Sequence, residues 1–338
     1  MVVMRAGKVP PDVLTECVFP YLGASDSDVL LGPGIGRDAA LLRIGRQVAV
    51  ASTDPITGAV QQIGAYALHV CANDVATLGI RPRWFLATIL LSEGADALLL
   101  KTIMTQMHAA AKALNVAIVG GHSEITPGLQ RPIVVGFMLG VAERGRYVTS
   151  SNAKPDDAII LTKGVGIEGT AILATERAEK LRHHLGDSLI EQAQKFVTKL
   201  SVVPEALQAM KTGAVTAMHD PTEGGVANGL HELADASKLG FIIRRDALIV
   251  HEETRRICAV LQANPLDLIG SGAMLIAAQP RRADSVIAVL KEAGIPASIL
   301  GRLVKDSTVR AIIEPDGSQA PLPQPTEDAL WEALVRPL

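Results

Sequence analysis

Runs rich in Val, Ile, Leu and Ala alternate along the chain with longer stretches in which apolar positions recur every three to four residues. In the first half this rhythm predicts strands at 47–52, 84–91, 116–120 and 132–142, with helices at about 60–78 and 95–114. The stretch 150–157 (SSNAKPDD) is polar and turn-rich and holds Pro155, which marks a boundary between a domain at 1–150 and a second at 151–338. Beyond it the pattern predicts a strand at 158–162, helices around 167–181, 187–200 and 203–211, a strand at 215–218 and a helix near 223–238. Strands and helices alternate again to about 313, and a proline-punctuated tail leads into a short helix at 326–335. The expected fold class is α/β or α+β in two domains.

Composition narrows the partners. Lys plus Arg number 32 against 35 Asp plus Glu, a net charge of −3, so the chain has no basic field of the kind that holds nucleic acid. Only 3% of residues are aromatic, which leaves few platforms for stacking bases. The longest uncharged apolar stretch, 132–142, is shorter than the roughly 18 residues of a membrane span. The first residues (MVVMRAGK) lack the apolar core of a secretion signal, and the expectation is a cytoplasmic protein. Cys17, Cys71 and Cys258 have neither disulfide nor zinc spacing, and Cys71 and Cys258 read as buried thiols.

Candidate chemistry begins at Gly32-Pro33-Gly34-Ile35-Gly36-Arg37-Asp38. Glycine-rich backbone can aim amides at a phosphate, yet the segment satisfies neither the dinucleotide fingerprint nor the P-loop, and a surface turn reads equally well. Asp38 closes that segment, Asp54 follows a strand and Asp74 stands near a helix end. Each serves equally well as a cap, but carboxylates at the ends of successive elements can also gather at a sheet edge and hold Mg²⁺ against nucleotide phosphates. Gly120-Gly121-His122-Ser123-Glu124 is expected just after a strand, where backbone approaches a ligand closely. His219-Asp220-Pro221-Thr222-Glu223-Gly224-Gly225 puts Asp220 and Thr222 before a helix, a position suited to an anion or metal. Lys163 to Gly169 is either an anion loop or a tight turn, and Gly270-Ser271-Gly272 either a substrate loop or an ordinary one. His231-Glu232-Leu233-Ala234-Asp235 fails the zinc-protease pattern, because Asp235 stands where the second His is needed.

Asp74-Val75-Ala76-Thr77-Leu78-Gly79-Ile80-Arg81-Pro82 resembles the ATP-binding signature of the aminoimidazole ribonucleotide synthetase (PurM-like) superfamily, with Ile80 in place of the usual alanine. Together with the motifs at 120–124 and 219–226, it makes the chain similar, from about 25 to 315, to the hydrogenase maturation proteins of the HypE family. That resemblance implies a PurM-like fold, with an N-terminal sheet domain that binds ATP and pairs with its copy in a homodimer and a C-terminal α/β domain. It implies Asp38, Asp54 and Asp74 as metal and phosphate ligands for Mg²⁺-ATP, and Asn73 and Gly79 as parts of the nucleotide pocket. Gly120, Gly121 and His122 are implied on the phosphate side, with His122 and Asp220 as the catalytic candidates.

The family's Pro-Arg-x-Cys tail is not matched by Val335-Arg336-Pro337-Leu338. The expected function is therefore ATP-dependent phosphorylation of an amide or carboxyl-type oxygen on a small substrate. The alternatives are HypE-type maturation work with an acceptor on another maturation protein, or a nucleotide-binding partner protein without turnover.

Overall fold

The computed structural model describes residues 8–57 and 61–338. Residues 1–7, read above for a secretion signal, and position 60, the expected first residue of a helix, lie outside the described residues.

The first half contains α1 (Pro11–Cys17), β1 (Val29–Leu31), β2 (Ala40–Ile44), β3 (Gln47–Ile56), α2 (Ile63–Thr77), β4 (Pro82–Leu91), α3 (Ala97–Leu114), β5 (Ala117–Ile125) and β6 (Ile133–Glu143). The second contains β7 (Ala158–Thr162), α4 (Ile167–Glu176), α5 (Ala178–Leu185), α6 (Asp187–Gln194), α7 (Val203–Lys211), β8 (Val215–His219), α8 (Gly225–Ala236) and β9 (Gly240–Arg244). It closes with α9 (Glu252–Leu261), β10 (Leu275–Ala278), α10 (Ala283–Glu292), β11 (Ala297–Val304), β12 (Arg310–Ile313), β13 (Gln319–Pro321) and α11 (Ala329–Val335).

The strands form two mixed sheets, ordered β1-β2-β3-β6-β4-β5 and β13-β12-β9-β11-β7-β10-β8. In the first, β4 and β6 alternate buried and half-buried positions. Phe85, Ile89, Val134 and Met138 belong to the buried set and share one apolar cluster with Leu68, Cys71 and Val75 of α2 and Ile103 and Met107 of α3. Each fully buried aliphatic chain there contributes about 1.5–3 kcal/mol. The alternate set, which includes Trp84, Leu86, Val135, Phe137 and Leu139, is only half-buried. Parallel pairing of β4 with β5 follows from the α3 crossover between them.

Two expectations from the pattern are corrected. The helix expected at 167–181 breaks at Arg177, whose buried guanidinium donates to the carbonyls of Ala333, Leu334 and Arg336 at 2.7–2.8 Å. Holding the C-terminal helix takes that residue out of helical geometry, at φ −112°. The helix expected at 187–200 ends at Gln194 and continues as one 3₁₀ segment to Lys199. Among the described residues no helix is long and apolar enough to cross a membrane.

Candidate active site

Three short connections bring carboxylates from both halves together. Asp74 lies in the last turn of α2, 5% exposed, and accepts the hydroxyl hydrogen of Ser52 from β3. Asp54, two residues on along β3, lies close enough to Asp74 for a hydrogen bond between the two carboxyls. Burial first, then the charges of Asp54, Asp220 and Asp38, push the Asp74 carboxyl well above the ordinary range.

Asp38 arrives by the glycine-rich turn. Gly36 sits at φ +69°, and a Cβ there would stand 2.8 Å from the carbonyl oxygen of Glu232. Only glycine lets this turn lie flat on α8, which delivers Asp38 to the end of β8. There His219 is buried between two acids, donating from Nδ1 to Asp38 Oδ2 at 3.0 Å and from Nε2 to Glu232 Oε2 at 2.8 Å. Burial opposes its charge, but Asp38 and Glu232 outweigh that and hold its pKa well up, so it is an imidazolium that donates from both nitrogens. Glu232 stays ionised: burial is outweighed by Lys8 and His219, and its pKa falls to about 2.

Asp220 is the exception. It is 1% exposed, and neither carboxylate oxygen has a hydrogen-bond partner. Burial and the charge of Asp38 push its pKa well up. One ligand atom from each of Asp38, His219 and Asp220 lies within 4.8 Å of the others. An orphaned buried carboxylate facing further acids suits a hard divalent cation, which prefers oxygen ligands. With both His219 nitrogens engaged, Asp38 and Asp220 are the carboxylates of this cluster, and Asp54 and Asp74 lie near enough to act on it through their charge.

Other expected site residues lie differently. Asn73 is fully buried, and its amide is engaged by the Leu200 carbonyl and the Val202 N–H, both at 2.8 Å, so it ties α2 to the start of α7. Gly79 closes α2 at φ +75° with Met210 packed where a Cβ would stand. Gly120, Gly121 and His122, expected on a loop, lie inside the edge strand β5. A Cβ on Gly121 would stand 2.0 Å from the Ala87 carbonyl, so glycine is what lets β5 pair closely with β4. The register Asp54↔Gly136↔Ala87↔Gly121 puts Gly121 three strands from Asp54, about 14 Å at the usual spacing. His122 is 64% exposed and meets Glu124 at 3.0 Å, away from the carboxylates.

Several amides of the expected anion-binding backbones are engaged. At the start of α8 the N–H groups of Gly224, Gly225 and Ala227 bond to Asp328, Thr222 O and Leu266 O. In the 163–169 turn, Gly164, Val165 and Gly169 donate to Thr162, Ile249 and Ile269 carbonyls. The Arg37 guanidinium closes the glycine-rich turn onto the Gly32 carbonyl.

Sequence reading passed over Ser52, Glu232 and Lys8. Glu232 was weighed only within a zinc-protease pattern, and nothing in its spacing ties it to a histidine 13 residues earlier.

Two domain models of the AIR synthase related protein match the chain, the N-terminal one over 36–142 and the C-terminal one over 154–314. A hydrogenase expression/formation protein of Methanocaldococcus jannaschii is 26% identical over 307 residues, 89% of each chain. Carbamoyl dehydratase HypE of Rhizobium leguminosarum is 28% identical over 255 residues, 72% of this chain and 69% of its own. A solved HypE in complex with ATP superposes with a TM-score of 0.70 at 22% identity, covering 96% of this chain and 97% of that one. HypE from a HypE–HypF complex gives 0.73 at 24% identity, covering 86% and 93%. The two domain models fall on the two sheets whose loops meet at the carboxylates, and on that match the chain belongs to the AIR synthase related protein family, close to HypE.

Proposed function

We propose that this protein is an ATP-dependent enzyme that phosphorylates an amide or carboxyl-type oxygen of a small substrate and so turns it into a leaving group. The observation that carries the reading is Asp220, buried with both oxygens unpaired beside carboxylates drawn from the other half of the chain. Asp38, Asp54, Asp74 and Asp220 would hold Mg²⁺ with the nucleotide. When bound, the cation supplies the charge that orients phosphate oxygens and stabilises a transferring phosphoryl group.

The chain's own groups supply the rest. His219 fixes one oxygen of Asp38, and the other, with no hydrogen bond among the described residues, would ligate. Glu232 holds the far side of that imidazole, so the first carboxylate is set by an element of the opposite half. Asp220 is the candidate catalytic residue at the reacting end. His122, on an exposed edge, would reach the reaction only from a second copy of the chain or after a substrate has bridged the gap. The half-buried face of β4 and β6 is suited to a homodimer, since an apolar sheet face of this length is ordinarily covered.

The likeness to proteins named carbamoyl dehydratase HypE favours a second reading. In it the phosphorylated oxygen belongs to a carboxamide carried by another maturation protein, and the solved HypE–HypF complex supports a partner of that kind. ADP release from Mg²⁺-ATP, measured alone, with a panel of small carboxamides and carboxylates, and with a carbamoylated partner, tests both. Stimulation by a small compound supports the first reading and stimulation by the partner alone the second. Tight ATP binding with no turnover under any condition leaves only a binding protein, with the site in the cytoplasm in each case.

A further inference from the structure

The carboxylate cluster is well supplied with ligands for a cation and poorly supplied with groups for the anion that the cation would bring. At the start of α8 the amides of Gly224, Gly225 and Ala227 are engaged elsewhere, and so are those of Gly164, Val165 and Gly169 in the 163–169 turn. Lys163 is engaged as well: its ammonium donates to Lys199 O, Ser201 O and Glu205 at 2.6–2.7 Å. His219 has both nitrogens bound by Asp38 and Glu232.

Lys8 differs from all of these. Its main-chain N–H donates to Glu223 Oε2 at 2.7 Å, just ahead of α8, and this pins the residue beside the site. Its ammonium stands 3.6 Å from Glu232 Oε1, a charge contact too long for a hydrogen bond, on a side chain that is 54% exposed. The charges of Glu232, Asp38, Glu223 and Asp220 raise its pKa, and the amine stays protonated. An anchored main chain, a flexible stem and an ammonium whose one ion-pair partner among the described residues is Glu232, at 3.6 Å, describe a point charge that can turn to an anion.

We propose that Lys8 contacts the terminal phosphates of the bound nucleotide, its ammonium leaving Glu232 for a phosphate oxygen when Mg²⁺-ATP enters. This rests on the Mg²⁺-ATP reading above. Glu232 then remains paired with His219, so the exchange leaves no buried carboxylate without a partner. An ammonium that served only to pin the N-terminal segment would show no preference for the number of phosphates on the ligand.

Calorimetry with Mg²⁺-ATP and with AMP on the wild type, Lys8→Gln and Lys8→Arg separates these roles. The expected result is at least a tenfold loss of ATP affinity in Lys8→Gln, the range of a charge-assisted contact, with AMP affinity held within about twofold and ATP affinity largely restored in Lys8→Arg. Amine acylation of the wild-type protein, followed by mass spectrometry, gives a readout independent of any variant's folding: Lys8 should be labelled in the free protein and protected by Mg²⁺-ATP but not by AMP. Equal ATP affinity in wild type and Lys8→Gln, equal losses for ATP and AMP, or labelling of Lys8 unchanged by Mg²⁺-ATP each overturns the assignment. A wild-type protein that binds no Mg²⁺-ATP overturns the underlying reading and this inference with it.

Discussion

Exchanging Asp220 for Asn keeps the shape of the side chain and removes its charge, which isolates what that charge does. The nearest ligand atoms of Asp38 and His219 lie within 4.8 Å. At an effective dielectric near 20, one like charge at that distance costs about 3.5 kcal/mol and one opposite charge returns a similar amount. Asp38 and the His219 imidazolium therefore nearly cancel at Asp220. Lys8 and Asp54 also act with opposite signs, so what remains is burial at 1% exposure with no hydrogen bond, which disfavours the ionised carboxyl. An acid whose folded pKa is raised above its unfolded value of about 3.9 costs folding free energy that grows as pH rises from that value toward the folded one.

Thermal melts of the metal-free proteins at about pH 5 and about pH 8 should then show Asp220→Asn no less stable than wild type at the higher pH, with a shallower fall between the two. Millimolar Mg²⁺ should raise the melting temperature of the wild type and leave that of the variant unchanged. A variant several degrees less stable without metal at high pH, or one that keeps the full Mg²⁺ response, would refute the claim that Asp220 waits for a cation.

Further outcomes follow from the same geometry. Asp74→Asn should weaken Mg²⁺-dependent ATP binding at least tenfold, about 1.4 kcal/mol, by calorimetry, and unchanged affinity would remove Asp74 from the ligand set. Glu168 is buried with Oε2 unpartnered, and its pKa is pushed up to about 7 by burial. Its contribution is therefore lost as pH rises from about 4.5 to about 7, by roughly 3 kcal/mol at most, and Glu168→Gln should flatten that stretch of a urea-melt pH profile. Arg177→Ala removes three bonds to the carbonyls of the C-terminal segment, so limited proteolysis should begin beyond Pro325 while the two sheets persist. Phe137→Glu places a charge on the half-buried face of the first sheet and should turn a dimeric mass in light scattering into a monomeric one; a wild-type monomer at micromolar concentration contradicts the dimer directly.

The motifs legible in the sequence were those in which chemistry and chain order coincide. His219, Asp220 and the glycines after them mark the end of β8 and the start of α8 by local spacing alone, and Asp74 with Gly79 marks the end of α2 in the same way. Glu232 and Lys8 carry no such mark: Glu232 meets His219 13 positions earlier, on the neighbouring element, and Lys8 meets Glu232 224 positions on, a contact formed only when the start of the chain lies against the second half. The 120–122 segment misled for a related reason: paired glycines read as a loop, while their use here is close strand pairing, which depends on Ala87 across the sheet. Arg177 offers another case, since nothing near it in sequence announces that the C-terminal helix will draw its side chain out of a helical run. β1, three residues long, is too short for periodicity to register; it joins the sheet by pairing to β2, which in turn pairs to β3.

The central claim is that carboxylates from both halves form one magnesium-dependent nucleotide site, and a titration of the wild-type protein with ATP tests it most directly when run once with Mg²⁺ and once with excess chelator. The account predicts saturable binding that needs the metal and falls at least tenfold, about 1.4 kcal/mol, without it. No binding in either titration, or the same affinity in both, would contradict it.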